Sequence, residues 1–207
     1  MAFLNEDTNE LHIKIVYTGS HGCGKTTNIQ SLFKQTSSEV STRFFDLHSV
    51  STKSQFFDFF PLTYGEAKTH ALRLHLYTLP SHDLWSTVNM NLLWGADGIV
   101  NVIDSRLPYV AEAEKQMTRL KSLLHLVNRS FSEIPMVFQY NHRDATNALD
   151  VRSLRSEYTR HGAGEIEAVA VQDIGVIDTL DAIAERVLAS MENSGQSWND
   201  RASLGLQ

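Results

Sequence analysis

The sequence holds a single cysteine, Cys23, among 207 residues. An internal disulfide is therefore excluded, and the fold must be held by its core. No apolar run approaches the roughly 20 residues that span a bilayer, and the opening residues lack the basic and apolar regions of a secretory leader. Position 2 is Ala rather than Gly, and no prenylation cysteine stands at the C-terminal end. The expectation is a cytoplasmic, unlipidated chain with no direct membrane insertion. Positive charge is also scarce: 18 Lys and Arg face 24 Asp and Glu, a formal charge of −6. That balance disfavours a nucleic-acid or anionic-membrane surface, because phosphate backbones select basic patches. No repeat or low-complexity linker is visible, and 42% hydrophobic content suffices for one domain with a full core.

What is present begins with Leu11 to Phe33, an apolar strand pattern running into a glycine-bracketed loop and then a helix pattern. Gly19, His21, Gly22, Cys23, Gly24, Lys25, Thr26 and Thr27 match G-x-x-x-x-G-K-[ST] and its flank. Backbone N–H groups of such a loop can point at phosphate oxygens, aided by the positive end of the following helix. Lys25 would reach the β- and γ-phosphates, and the Thr26 hydroxyl would hold Mg²⁺. Cys23 sits beside a helix N-terminus, where a thiol can have a lowered pKa and oxidise, although a structural place in the loop explains it better.

Residues 1–10 are polar and expected to be loose, 11–192 form the domain, and 193–207 read as a disordered polar tail. The Ser- and Thr-rich stretch from Thr36 to Ser54 is expected to carry mobile residues facing the phosphates. Phe56 to Phe60 and Leu72 to Leu76 alternate as two adjacent strands joined around Gly65. Trp85 to Trp94 reads as a helix, Ile99 to Asp104 as a strand buried on both faces, and Val110 to Val127 as a long helix. Met136 to Asn141 is a further buried strand, Leu149 to His161 a helix, Ile166 to Ala170 a last strand, and Leu180 to Met191 the stripe of a final helix. This alternation predicts an α/β fold of three layers, a mainly parallel sheet with helices on both faces and ligands at the strand C-terminal ends.

The strand ending at Tyr140 delivers Asn141, His142, Arg143 and Asp144 to that edge. A carboxylate there can accept from N1–H and the exocyclic amine of guanine, whereas adenine offers an acceptor at N1. Such a site discriminates GTP from ATP because a mismatch leaves buried polar groups unpaired. Asp104, at the end of an apolar strand, is either structural or the Walker B acid of a P-loop ATPase or kinase. Asp58 lies in an aromatic run, where it either meets a metal shell or caps nearby backbone. His12, His48, His70, His75, His125 and His161 show no metal-ligand spacing.

Over roughly Leu11 to Met191 the sequence resembles the Ras-like small GTPases, and more narrowly the bacterial cell-polarity and gliding-motility GTPases of the MglA family. GSHGCGKTTN, FFDFFPL, LHLYTLP, IDSR, NHRD and EAVAVQDIGV carry the resemblance. It implies that Asn141 and Asp144 hold the base, that the Ala170 N–H reaches the guanine carbonyl, and that Ser54 closes on Mg²⁺ and the γ-phosphate. It further implies a roadblock-domain activator resembling MglB and effectors of cell polarity or motility. The exposed aromatics around Phe56 to Phe60 and Trp85 are candidates for that partner surface.

The match breaks in the second mobile loop, where the family has T-x-P-G-Q and this chain has Thr78, Leu79, Pro80, Ser81 and His82. Ser81 keeps an N–H for the γ-phosphate but loses glycine's access to positive φ. His82 replaces the water-orienting Gln, and Lys53 an Arg brought onto the developing charge, so hydrolysis is expected to be slow. The alternative is a nucleotide-binding scaffold with little or no hydrolysis. His142, in place of a Lys, loses the alkyl stem that would lie over the purine.

Overall fold

The computed structural model describes residues 2–36, 59–81, 87–158 and 163–193. Their strands are β1 (Phe3–Asn5), β2 (Glu10–Thr18), β3 (Phe59–Ala67), β4 (His70–Thr78), β5 (Gly98–Asp104), β6 (Met136–Asn141) and β7 (Gly164–Glu167). Their helices are α1 (Lys25–Thr36), α2 (Thr87–Trp94), α3 (Val110–Leu126), α4 (Val151–Tyr158) and α5 (Val176–Asn193). The strands form one sheet in the order β3-β4-β2-β5-β6-β7, with β1 paired to β2. Pairings β2/β4, β2/β5, β5/β6 and β6/β7 are parallel. The C-terminal ends of β2, β5 and β6 therefore share one edge.

Helices cover both faces, as the alternation of elements predicts. On one face Ile29 and Leu32 of α1 and Leu180, Ile183 and Val187 of α5 pack over Ile13, Ile15 and Val102. On the other, Leu92 and Leu93 of α2 and Met117, Leu120 and Leu124 of α3 cover Val16, Ile99 and Ile103. Every residue of β5 is buried, which is why it reads as a continuous apolar run rather than an alternating one. Among the described residues, no helix is long and apolar enough to cross a membrane.

Several boundaries differ from expectation. Phe3–Asn5, within the stretch expected to be loose, pairs antiparallel with Glu10–His12 and buries Ala2 and Leu4. The β3–β4 hairpin turns at Lys68 and Thr69, with Lys68 at φ 58°, and not around Gly65. Gly65 (φ 64°) instead sits where the register shifts between Thr63 and Glu66. A bulge needs the same left-handed freedom as a turn, so the glycine alone does not separate them. The last strand begins two residues early and ends at Glu167, because Ala170 belongs to a short 3₁₀ turn, Ala170–Gln172. Residues 37–58, 82–86, 159–162 and 194–207, with the readings that fall on them, lie outside the described residues.

Candidate functional site

β2 ends at Thr18, and the chain turns through residues 19–24 into α1. Gly19 has φ 139°, and a β-carbon there would lie 2.2 Å from the Val102 carbonyl oxygen. Gly24 has φ 108°, and its β-carbon would lie 2.1 Å from Asn141 Nδ2. Both positions thus demand glycine, for backbone conformation and for space. Lys25 Nζ donates to the carbonyls of Gly19 (3.0 Å) and Ser20 (2.8 Å), tying the loop to the first turn of α1. That turn has no acidic residue, so the helix's positive end is not offset from within.

Other loop residues divide by exposure. His21 and Gly22 are exposed, while Thr26 and Thr27 are half-buried. Ser20 Oγ is buried with no hydrogen-bond partner, an orphan that a phosphate oxygen would satisfy. Cys23 is fully buried, and burial pushes its thiol up, more than the neighbouring Lys25 pulls it down. Burial outweighs the helix end, which speaks against the lesser alternative of a lowered, oxidisable thiol and agrees with the favoured structural place in the loop.

The 141–144 loop meets this cradle directly. Asn141 Nδ2 donates to the Cys23 carbonyl at 2.8 Å, and Asn141 Oδ1 accepts the Ala170 N–H at 3.0 Å. One buried side chain therefore joins the loop after β2, the end of β6 and the turn after β7. His142, at φ 60°, places Nε2 3.2 Å from the Gly22 carbonyl. A carbonyl only accepts, so this bond requires the ring proton on Nε2. The same nitrogen lies 3.8 Å from Asp104 Oδ2.

Asp144 is exposed at the rim, with Oδ2 3.4 Å from Gln172 Nε2. The Arg143 side chain is engaged within the protein: Nε donates to Glu167 at 2.8 Å, and Nη1 donates to the Leu149 carbonyl at 2.6 Å. The Ala170 N–H, expected to face a guanine carbonyl, is donated to Asn141. Asp104 is fully buried and accepts from Arg106 Nε (2.9 Å), Nη2 (2.6 Å) and the backbone N–H (3.1 Å). That engagement is the structural role weighed for it.

Ser81 follows β4 at the same edge. Leu79 N–H donates to the Tyr17 carbonyl at 2.8 Å, and Asn89 Nδ2 of α2 donates to the Pro80 carbonyl at 3.1 Å. Lys53, Ser54, Asp58 and His82 lie outside the described residues. Among the described residues, no group of three or more His, Cys, Asp and Glu could hold a metal.

One element was missed from sequence. Asn28 Nδ2 donates to the Gly24 carbonyl (2.9 Å) and to Gln139 Oε1 (2.8 Å), and Gln139 Nε2 donates to Asn28 Oδ1 (2.8 Å) and Thr179 Oγ1 (2.9 Å). All three residues are fully buried. This relay carries the loop's position through β6 into α5. The available signal was polarity at positions where periodicity asks for an apolar residue.

No protein-family model matches the chain. It is 35% identical over 195 residues, 94% of its own length and 100% of the relative's, to the mutual gliding-motility protein MglA of Myxococcus xanthus strain DK1622. With that likeness across nearly all of both chains and a three-layer, mainly parallel sheet beneath it, the protein belongs to the MglA family.

Proposed function

We propose that the protein is a guanine-nucleotide switch that hydrolyses GTP slowly and acts in surface motility or cell polarity through partner proteins. The observation that carries this reading is Asn141, bonded at once to the Cys23 carbonyl and the Ala170 N–H. It supports one cleft in which the glycine loop cradles a phosphate tail and the 141–144 loop faces a base.

Within that reading, the loop amides and the Lys25 ammonium hold the phosphates. A Mg²⁺ ion, held by Thr26 and Ser54 with Asp58 as a further candidate, would supply charge neutralisation at the β- and γ-phosphates. Asp144 selects guanine, while Ala170 has its N–H shared between Asn141 and the purine carbonyl. Asn141 and His142 position the loop; Ser81 and Ser54 read the γ-phosphate, ordering two segments that present or withdraw a partner surface. His82 and Lys53 act on water and developing charge. The relative's gliding-motility name supports motility effectors, and with them an activator of roadblock type resembling MglB. The expected setting is the cytoplasm, with recruitment to a cell pole by partners.

A second reading, a nucleotide-bound scaffold that scarcely hydrolyses GTP, is favoured by Ser81, His82 and Lys53 standing where the family pattern has Gly, Gln and Arg. Denaturing the freshly purified protein and identifying the released nucleotide tests both. Guanosine diphosphate supports a hydrolysing switch, guanosine triphosphate alone supports the scaffold, and an adenine nucleotide overturns the guanine site.

A further inference from the structure

The fully buried side chains of Asn28, Gln139 and Thr179 run in series from the glycine loop to the first turn of α5. Asn28 Nδ2 divides its two protons between the Gly24 carbonyl (2.9 Å) and Gln139 Oε1 (2.8 Å). Gln139 Nε2 divides its own between Asn28 Oδ1 (2.8 Å) and Thr179 Oγ1 (2.9 Å). The Thr179 hydroxyl then donates to the Gly175 carbonyl at 2.6 Å. Every N–H of both carboxamides is spent, and turning either amide over would set oxygen against oxygen. Each end of the series is a glycine carbonyl, which only accepts, so the direction of the whole series is fixed.

Part of this arrangement has a local explanation. The Asn28 N–H donates to the Gly24 carbonyl at 3.0 Å, the ordinary first bond of an α-helix, which almost any residue at 28 would make. The side chain gives that carbonyl a second donor, anchored through Gln139 in β6. It does so at Gly24, whose φ of 108° marks a residue with wide backbone freedom, so the peptide joining it to Lys25 is otherwise able to swing. The described peptide bonds are trans, and in a trans unit the C=O and N–H point in opposite directions. Holding the Gly24 carbonyl towards Asn28 therefore turns the Lys25 N–H out of the N-terminal end of α1, where an anion is favoured. The Cys23 thiol is its neighbour there, and sulfur is a weak acceptor that a phosphate oxygen outcompetes.

We propose that Asn28, Gln139 and Thr179 are positioning residues for the phosphate end of the site, holding the 24–25 peptide in the orientation that presents the Lys25 N–H to a nucleotide's phosphates. For its ligand this rests on the guanine-nucleotide reading above. Gln139 and Thr179 act through Asn28 rather than by touching the ligand. The base turn is held separately, by the Asn141 bond to the Ala170 N–H. Loss of the series is therefore felt at the phosphates and not at the base.

The test is displacement of a fluorescent GDP analogue from the full chain by GDP and by guanosine, with urea unfolding alongside. Gln139→Met strands the Asn28 amide and should lower both the urea midpoint and GDP affinity. Asn28→Ala with Gln139→Met removes both partners at nearly constant combined volume, and Thr179 keeps its bond to Gly175, so no buried amide is stranded. The midpoint of this double variant should return most of the way to the wild type. Its GDP affinity should stay about tenfold down, with guanosine affinity unchanged. A merely structural role would restore stability and affinity together. Wild-type GDP affinity in the folded double variant, or equal weakening of GDP and guanosine, would overturn the proposal. If the double variant does not fold, Thr179→Val decides: a loss of about threefold for GDP alone is expected, and wild-type GDP affinity overturns the proposal. A wild type that binds no nucleotide removes the guanine reading and this proposal together. Preference for ADP over GDP, with the advantage of ADP over adenosine falling about tenfold in the double variant, removes the guanine reading and supports the positioning role.

Discussion

Replacing Asn141 by Ala tests whether one side chain holds the two halves of the cleft together. The change deletes the donor to the Cys23 carbonyl (2.8 Å) and the acceptor of the Ala170 N–H (3.0 Å), both buried bonds. Each stranded backbone group costs about 1–3 kcal/mol, so the fold should lose about 2–6 kcal/mol, a large part of an ordinary stability of about 5–15 kcal/mol. At a urea slope of about 2 kcal/mol per molar, the midpoint should fall by about 1–3 M. Gly24→Ala attacks the same bond from the other side, since its β-carbon would lie 2.1 Å from Asn141 Nδ2. The double variant should therefore lose clearly less than the sum of the singles. Urea unfolding followed by circular dichroism, without added nucleotide, measures all three. A midpoint shift under about 0.3 M for Asn141→Ala, or strict additivity with Gly24→Ala, would refute the staple.

Further outcomes follow from other parts of the fold. Gly98→Ala would place a β-carbon 2.7 Å from Val187 Cγ2 and 3.0 Å from Ile183 Cδ1, and should destabilise by about 1–3 kcal/mol; adding Val187→Ala should recover part of that in the same unfolding assay. His75 is pushed down to about 4, chiefly by burial and then by the neighbouring His12 and Arg73. Its neutral form is therefore favoured in the fold. The contribution is intact above the unfolded histidine value of about 6.5 and is lost as pH falls towards 4. Thermal unfolding should show stability declining across that window, and His75→Gln should flatten the decline. Lys25→Met removes the ammonium that ties Gly19 and Ser20, and calorimetry should show guanine-nucleotide affinity falling about 10- to 100-fold.

The glycine loop was legible because its spacing encodes backbone geometry: Gly19 and Gly24 sit where only glycine fits, and Lys25 follows at once. β5 was legible because burial on both faces leaves a continuous apolar run. Phe3–Asn5 was not, since three residues are too few to show a period, and their pairing with Glu10–His12 is a tertiary fact. The hairpin turn was misplaced because Gly65 serves a bulge while Lys68 takes the left-handed turn position. The Asn28–Gln139–Thr179 relay joins residues far apart in sequence, so no local pattern announces it. Likewise, the base contact expected of NHRD rests on its place after a buried strand, and that of Ala170 in EAVAV on the family resemblance. Only their juxtaposition shows Asn141 bonded to the Ala170 N–H and Arg143 turned to Glu167.

The central claim, that one cleft grips a phosphate tail and selects guanine, is tested most directly by competition binding. A fluorescent GDP analogue would be displaced by GTP or ATP in Mg²⁺, with the wild type and Asp144→Ala side by side. The account predicts that GTP displaces at least about 100-fold better than ATP, as expected when a mismatch strands buried polar groups, and that Asp144→Ala removes most of that preference. Equal displacement by ATP and GTP, or full guanine preference in Asp144→Ala, would contradict it.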